Sequence, residues 1–393
     1  MLPVDIQVLI VGAGPTGLAL AARLQAAGVD HLLIDALEGP RNTSRAAVVH
    51  AHTLEMLETI DAASMMEAQA LPVSHFTVRD RGQALLDLTF DSLPSHFRHL
   101  LMIPQSATEG LLAIRLKDLG GVVHRGTAAL AATATAGGAT VRVKTKTGEQ
   151  SIHARFVVAA DGMRSVIREA AGIGFEGSTS GESLILADVR MDWPFGTREV
   201  SMFLSPAGLV VVAPLPGGSF RVVATLDDAP EKPSIDDIQK LLDARGPAKN
   251  LRVTDIGWSS RFRVQHRLAE TYRKGPFLLI GDAAHVHSPA GGQGMTTGLV
   301  DAIVLGEALT RVVRDHEPET LLDDYARIRR PAAADVLALA GRLTRIATVH
   351  SVPLRRLRNL VLRVLDHVPP FKRGLALSFS GLGRARYSLL PRD

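Results

Sequence analysis

The sequence contains no cysteine. Disulfides, thiolate metal sites, a cysteine nucleophile and a redox dithiol are therefore excluded, and a cytoplasmic protein is the expectation. Aromatic residues are scarce, at 4%, with three tyrosines (Tyr272, Tyr325 and Tyr387) and two isolated tryptophans, Trp193 and Trp258. Basic residues are missing from the opening MLPVDIQVLIVGAG, which has an acid at Asp5 and no Lys or Arg before Arg23, so a secretory leader is not expected. The uncharged run worth testing as a membrane span, Val200 to Phe220, is broken by Pro206, Pro214 and Pro216 and by Gly208, Gly217 and Gly218. A lipid-facing helix there is disfavoured.

The 393 residues exceed the roughly 250 to 300 that one core usually serves, so two lobes around one site are expected. A hydrophobic fraction of 46% against 21% charged residues excludes a disordered chain. Lys plus Arg (44) barely exceeds Asp plus Glu (40), which gives no argument for a nucleic-acid partner. The small excess is local. From Arg342 to Asp393 eleven Lys and Arg stand against Asp366 and Asp393, leaving 33 basic and 38 acidic residues in the first 341.

Residues Ile6 to Val11 are apolar and largely β-branched, as suits a strand buried on both faces of a parallel sheet. GAGPTG follows, placing Gly12, Gly14, Pro15 and Gly17 before an alanine- and leucine-rich helix, Leu18 to Ala27, closed by Gly28. A second apolar strand, His31 to Ile34, ends at Asp35. In such a unit the first glycine permits the turn, the second admits a pyrophosphate to the backbone, and the third lets helix pack on strand. The helix N-terminus supplies N–H groups to the phosphates, while Asp35 suits a ribose diol and repels a 2′-phosphate, so NADP is disfavoured at this site.

FAD and NAD share that unit, and the later sequence separates them. Phe277 to Ile280 reads as another buried strand, followed by GDAAHVHSPAGGQGMTTGLVDA, residues 281 to 302. The acid after the strand, Asp282 beside Gly281, suits hydroxyls of a ribityl or ribose chain. The turn containing Pro289, Gly292, Gly294 and Met295 lets backbone approach a flat ring. A helix starting near Thr296 or Thr297 then aims its N-terminus at that ring, where it would stabilise the anionic edge of a reduced flavin by about 0.3 to 2 kcal/mol.

With these motifs the sequence resembles the FAD-dependent aromatic-ring monooxygenases built like para-hydroxybenzoate hydroxylase, the class A flavoprotein monooxygenases, in a short form without the thioredoxin-like C-terminal domain. The resemblance rests on GAGPTG with Asp35, on AADGMRSVIRE (159 to 169) and on GDAAHVHSPAGGQGM, and is extended by SRAAVVHAHTLEML (44 to 57), IPQSATEGLL (103 to 112) and DDYARIRRPAA (323 to 333). It implies an α/β fold: a Rossmann-like FAD-binding domain (1–71, 96–178 and 271–341), an inserted, mainly antiparallel substrate sheet (72–95 and 179–270) and a basic helical C-terminal segment (342–393). It also implies that Gly12, Gly14, Pro15, Gly17 and Asp35 hold the adenosine diphosphate part of tightly bound FAD, with Gly281 and Asp282 at the ribityl and pyrophosphate. Arg45 and Gln105 match FAD-contacting positions, and Asp161 and Gly162 a motif serving FAD and nicotinamide. Pro289 through Met295 would border the flavin ring, with Arg45, Pro289 and Gly292 closest to the chemistry. Thr296 departs from the family, where asparagine is common after the methionine.

Several of these residues have plainer readings. Arg45 alternatively reads as an exposed loop arginine. Ser106 and Glu109 fit a capping box for a helix ending at Gly120, and Asp161 fits a cap for a helix starting near Arg164. The pairs His50/His52 and His285/His287 have metal-ligand spacing without a third ligand nearby, so satisfied or solvent-facing histidines are expected.

Between the motifs, Ser183 to Arg190, Glu199 to Leu204, Leu209 to Pro214, Ser219 to Leu226 and Asp255 to Val264 read as strands, punctuated by Gly, Pro and Asp as in antiparallel sheets. Pro72 to Leu93 has similar runs and is expected to join them, one apolar face roofing the flavin ring. None of the three tyrosines lies in this sheet, so a tyrosine pair deprotonating a phenol is not expected. No second glycine fingerprint exists, so NAD(P)H would bind transiently.

The activity implied by the resemblance is hydroxylation of an electron-rich aromatic or polyketide-type molecule with NAD(P)H and O2, through a flavin C4a-hydroperoxide protected in an apolar pocket. The alternatives are a flavin reductase or dehydrogenase and a flavin-binding partner without turnover. A halogenase is disfavoured because the WxWxIP signature is absent. A monomer or homodimer is expected. In PLRRLRNLVLRVLD (353 to 366), Leu354, Leu357, Val361, Val364 and Leu365 share a helical face, with Arg355, Arg356, Arg358 and Arg363 around the rest. That face is expected to pack on the body, and contact with anionic lipid is the alternative.

Overall fold

The computed structural model describes residues 2–40, 46–226, 229–247, 251–287, 292–347, 349 and 351–391. The parallel part of the first sheet runs in the order Phe277–Leu279, Gly148–Ala159, Asp5–Val11, His31–Ile34, Val123–His124. Val8, Leu9 and Ile10 are fully buried, as a strand covered on both faces requires. The helix after the first turn spans Pro15–Ala26, three residues earlier than the apolar pattern predicts. Pro15 explains the shift, since its fixed φ and missing N–H suit the first helical position.

An antiparallel meander extends this sheet: Ala128–Thr135 pairs with Gly138–Thr145, which pairs with Gly148–Ala159. In the middle strand Val141 and Val143 are buried while Arg142 and Lys144 are exposed, a period-two alternation.

The second sheet has eight strands, in the order His285–Val286, Val253–Ala269, Phe175–Met191, Ser219–Thr225, Gly208–Leu215, Glu199–Ser205, His75–Asp80, Gln83–Thr89. Every expected strand is present, and of residues 72–93 the strands His75–Asp80 and Gln83–Thr89 join it, while Leu71–Val73 pairs with Leu100–Met102 in a separate three-stranded sheet. Pairing is antiparallel except where Glu199–Ser205 meets His75–Asp80 in parallel. Alternation divides the sheet's two faces. Ile185, Val210, Val212, Val222 and Ala224 pack with Ile238 and Leu242 of the helix Ile235–Arg245. That helix is set by a capping box of Ser234 and Asp237. The intervening residues Leu184, Leu209, Val211, Ala213 and Val223 face the other way, into a cavity.

After the helix Gly294–Val313, helices Thr320–Ala347, Val352–Asp366 and Pro369–Phe379 and a short turn, Leu382–Ser388, complete the chain. The expected burial of the leucine face of Val352–Asp366 is overturned. No residue of that helix is buried, and Leu354, Leu357, Val361 and Val364 are exposed. The helix lies along the edge strand Gln83–Thr89, whose free amides and polar side chains recruit its polar side. Asp366 accepts a hydrogen bond from the Asp87 amide at 2.9 Å, Asn359 donates to Asp80 at 2.6 Å and Arg363 to Gln83 at 2.5 Å. Among the described residues no helix is long and apolar enough to cross a membrane.

Candidate cofactor-binding and active site

A cavity of about 1030 Å³ runs from the glycine turn to the inner face of the second sheet. That is at or above the upper end of ordinary ligand pockets, about 300 to 1,000 Å³. At its first end the turn is sterically determined. Gly12 has φ +107°, and a Cβ there would stand 2.3 Å from the Ala160 carbonyl oxygen. A Cβ on Gly17 would stand 1.9 Å from the Gly12 carbonyl oxygen, so only glycine allows the helix to sit against the turn. Beside Gly14 a Cβ would meet nothing within 4 Å, and Gly12, Gly14 and Pro15 all line the cavity while Gly17 lies behind them.

Asp35 also lines the cavity. Its carboxylate accepts the Ala13 amide at 2.7 Å and the Leu37 amide at 2.8 Å, which ties the glycine turn to the end of the second strand. Each oxygen keeps a lone pair for a further donor. Arg125 stands 3.5 Å away, a cation on the wall that the sequence patterns do not single out.

Gln105 and Glu109 lie on the same wall, and the expected capping box is absent. The helix runs Gln105–Asp118 with Pro104 at its N-cap and no side-chain cap. Gln105 instead accepts the Ala46 amide at 3.3 Å and donates to Glu109 at 2.8 Å. Burial pushes the Glu109 carboxyl up, against the opposing pull of Gln105 and Arg125.

Asp161 and Gly162 line the cavity beside the turn. The short helix there is Val166–Ala170, capped by Ser165, and Asp161 Oδ2 accepts the Val166 amide at 2.8 Å. The capping reading of Asp161 thus holds for one oxygen. The other, Oδ1, is buried with no partner among the described residues, and burial raises the carboxyl above its usual range. A buried acceptor on the wall of a large cavity calls for a ligand donor.

At the far end Asp282, Gly292, Gly294 and Met295 line the cavity, while Gly281 packs behind on Thr16. Arg45 and Pro289 lie outside the described residues; their neighbours Ala46 and Gly292 are on the wall. The helix begins at Gly294, not at Thr296 or Thr297, with Gln293 as its N-cap. The hydroxyls of Thr296 and Thr297 donate to the Gln293 carbonyl at 3.0 and 2.7 Å. Thr296 therefore spends its side chain inside the helix, which leaves backbone groups at the cavity end.

Beneath this turn Asp301 is fully buried. It accepts from His285 Nε2 and Arg329 Nε, each at 2.8 Å. Burial alone would raise its carboxyl, but Arg329 and His285 outweigh this and hold it below the usual range. Among the described residues no metal-ligating cluster exists. Tyr272 and Tyr325 are buried in the first lobe, away from the cavity wall, where burial pushes both phenols well up.

The sheet side of the cavity is apolar, with Leu184, Val200, Met202, Val211, Val223 and Phe262. Arg221, Thr225 and Gln265 are polar exceptions, and Arg221 ties the sheet to the first lobe. It is 2% exposed, pairs with both oxygens of Asp188 at 2.7 Å and donates to the Ala46 carbonyl at 2.8 Å, tying the second sheet to the loop before Ala47. Phe379, from the C-terminal segment, closes the wall and packs on Phe76 with ring centroids 4.8 Å apart and the ring planes tilted by 35°.

A family model described as an FAD binding domain matches residues 5–340. The chain belongs to this FAD-binding family. It is an FAD-dependent monooxygenase of the para-hydroxybenzoate hydroxylase-like class. This flavoprotein is 35% identical over 373 residues to 6-methylpretetramide 4-monooxygenase of Streptomyces rimosus, covering 93% of this chain and 67% of that one. Pentachlorophenol 4-monooxygenase of Sphingobium chlorophenolicum is 34% identical over 342 residues, 85% of this chain and 63% of that one. Among solved structures, the anhydrotetracycline hydroxylase OxyS of Streptomyces rimosus superposes with a TM-score of 0.80 at 34% identity, covering 96% of this chain and 76% of that one.

Proposed function

We propose that this flavoprotein hydroxylates an electron-rich aromatic or polyketide-type small molecule, taking electrons from NAD(P)H and one oxygen atom from O2. The observation that carries the reading is the continuity of one cavity from the dinucleotide turn to an apolar sheet face. Open space beside Gly14, the Asp35 carboxylate and the orphaned Asp161 Oδ1 all fit FAD. The names of the relatives, carrying 6-methylpretetramide, pentachlorophenol and anhydrotetracycline, support the substrate class.

In this reading the backbone of Gly12 and Gly14 and the N-terminal amides of Pro15–Ala26 hold the pyrophosphate, with Gly17 allowing the close approach. Asp35 takes the adenosine ribose, and Gln105, Asp161, Gly162 and Asp282 hold the middle of the cofactor, with Gly281 behind the wall allowing the close packing of the turn on Thr16. Arg45, Pro289 and the Gly292–Met295 backbone border the ring. Bound there, FAD supplies two-electron reduction and activation of dioxygen. The protein's part is to position and to exclude water. The N-terminus of Gly294–Val313 favours negative charge at the ring edge, and the valine-, leucine- and methionine-rich sheet face keeps the reacting space dry. The lobe of residues 1–71, 96–178 and 271–341 thus holds the cofactor, and residues 72–95 and 179–270 the substrate. NAD(P)H visits transiently, the enzyme works in the cytoplasm, and it acts as a monomer or homodimer.

Purified protein is expected to be yellow and to oxidise NAD(P)H faster when a suitable phenol or polyketide is added, with matching oxygen uptake. Substrate-dependent NAD(P)H oxidation without oxygen uptake would replace this reading with a flavin reductase. No stimulation by any compound in a broad phenol and polyketide panel would favour a flavin-binding partner without turnover.

A further inference from the structure

Of the thirteen large apolar residues exposed among the described residues, six sit on one helix, Val352–Asp366. Leu354, Leu357, Leu360, Val361 and Val364 are between 45 and 60% exposed. Their spacing of three and four places them on one side of the helix. The opposite side is occupied: Asn359 and Asp366 bond to the edge strand region, Leu362 packs half-buried against the core, and Arg358 donates to the Ile346 carbonyl at 3.1 Å. The helix is therefore fixed by its more polar side, with Leu362 as the one apolar contact there, and turns its broad apolar side outward, the reverse of what water alone would select.

Charge and size decide what covers it. The helix carries Arg355, Arg356, Arg358 and Arg363 against the single acid Asp366. Arg356 and Arg363 are exposed and seven residues apart, so both lie along one rim of the apolar side, where Arg363 also donates to Gln83 through one of its nitrogens. Asp366 is engaged by the Asp87 amide and by Lys372 at 2.9 Å. A second copy of the chain would set these arginines against their own copies with no facing carboxylate. Six residues also fall far short of the roughly 20 to 30 per side of a stable protein interface. An anionic bilayer needs neither a broad matching surface nor opposing acids. It takes a helix lying in its plane, apolar side in the acyl boundary and arginines level with the phosphates.

We propose that Val352–Asp366 docks this enzyme on anionic lipid bilayers, with Leu354, Leu357, Leu360, Val361 and Val364 inserted and Arg356 and Arg363 on headgroup phosphates. The docking leaves the protein peripheral.

The test is co-sedimentation of the full-length, flavin-loaded protein with vesicles of phosphatidylglycerol mixed into phosphatidylcholine, and with phosphatidylcholine alone. Binding is expected on the mixed vesicles and is weakened by salt. The pair Arg356→Gln and Arg363→Gln should lower partitioning by roughly 25-fold, about fivefold for each arginine. Leu357→Gln with Val361→Gln should abolish it, while flavin content and turnover in solution stay unchanged because these side chains face solvent. Equal binding to both vesicle types, or binding indifferent to both double variants, would overturn the proposal. So would a concentration-dependent dimer in analytical ultracentrifugation that Leu357→Gln with Val361→Gln dissolves, since the face would then belong to a second copy.

Discussion

Two neighbouring stretches of the basic C-terminal segment are used in opposite ways. Val352–Asp366 has no buried residue and rests only Leu362, half-buried, on the core, whereas Pro369–Phe379 buries Ala376 and Phe379, the following Ser380 is fully buried, and Phe379 enters the cavity wall. Both stretches are helical, start with proline in the first turn and carry an apolar stripe. What differs is the surface each meets. The first meets a strand edge offering amides and polar side chains. The second meets Phe76, His52 and the Gln293 cap: Gln293 donates to the Ser378 and Phe379 carbonyls, and the His52 amide donates to the Ser380 carbonyl. An apolar stripe shows that a helix has a side to cover, and the partner surface decides which side turns inward.

The comparison breaks most visibly under truncation. Ending the chain after His367 removes a cavity wall and the anchors of the ring-side helix, and the product is expected to lose its flavin on gel filtration. Retention of full flavin absorbance would place the second stretch outside the site. Phe379→Ala removes a buried ring that packs on Phe76 at the cavity wall and should cost about 3 kcal/mol in denaturant unfolding, the low end for a phenylalanine because one side already faces the cavity. Gln293→Ala leaves the half-buried Arg384, whose guanidinium desolvation lowers to about 10, without its carbonyl partner. A loss of about 1 to 3 kcal/mol is expected, with reduced turnover at saturating substrate.

On the exposed stretch the effects shrink. Burial pushes the Asp366 carboxyl up, but the Asp87 amide and the Lys372 ammonium outweigh it and hold it below 3.8. Its folded form binds a proton less readily, so its contribution is complete above that value and lost as pH falls through the lower folded one. Asp366→Asn should therefore loosen the helix from the edge strand at neutral pH, seen as faster exchange of the Asp87 amide, and make little difference in strong acid. Leu357→Gln with Val361→Gln should shift unfolding by less than about 0.5 kcal/mol. A large destabilisation there would mean that the face is covered within the molecule.

The glycine unit was legible, apart from its helix start, because its constraints are local: Gly12 and Gly17 are forced by backbone atoms a few ångströms away, and Asp35 closes the unit by bonding Ala13. The second sheet was legible because alternation separates Ile185 from Leu184 and Val210 from Val211. The remaining wall was not. Arg125, Arg221 and Phe379 come from elements far apart in the chain, and nothing in their local spacing marks them; the spacing at Glu109 pointed to a cap and not to the wall. Local patterns also misplaced helix starts, since Pro104 and Pro15 fix backbone dihedrals that outweigh the capping pattern at Ser106 and the apolar run from Leu18.

The central claim is oxygen transfer in the cavity shared by the glycine turn, the second sheet and Phe379. It is tested most directly by reducing the bound flavin, admitting labelled dioxygen with a turned-over phenol or polyketide, and weighing the product. One labelled oxygen atom per product molecule is expected. Reoxidation of the flavin that releases all the label as hydrogen peroxide, with no label in any product, would contradict the account.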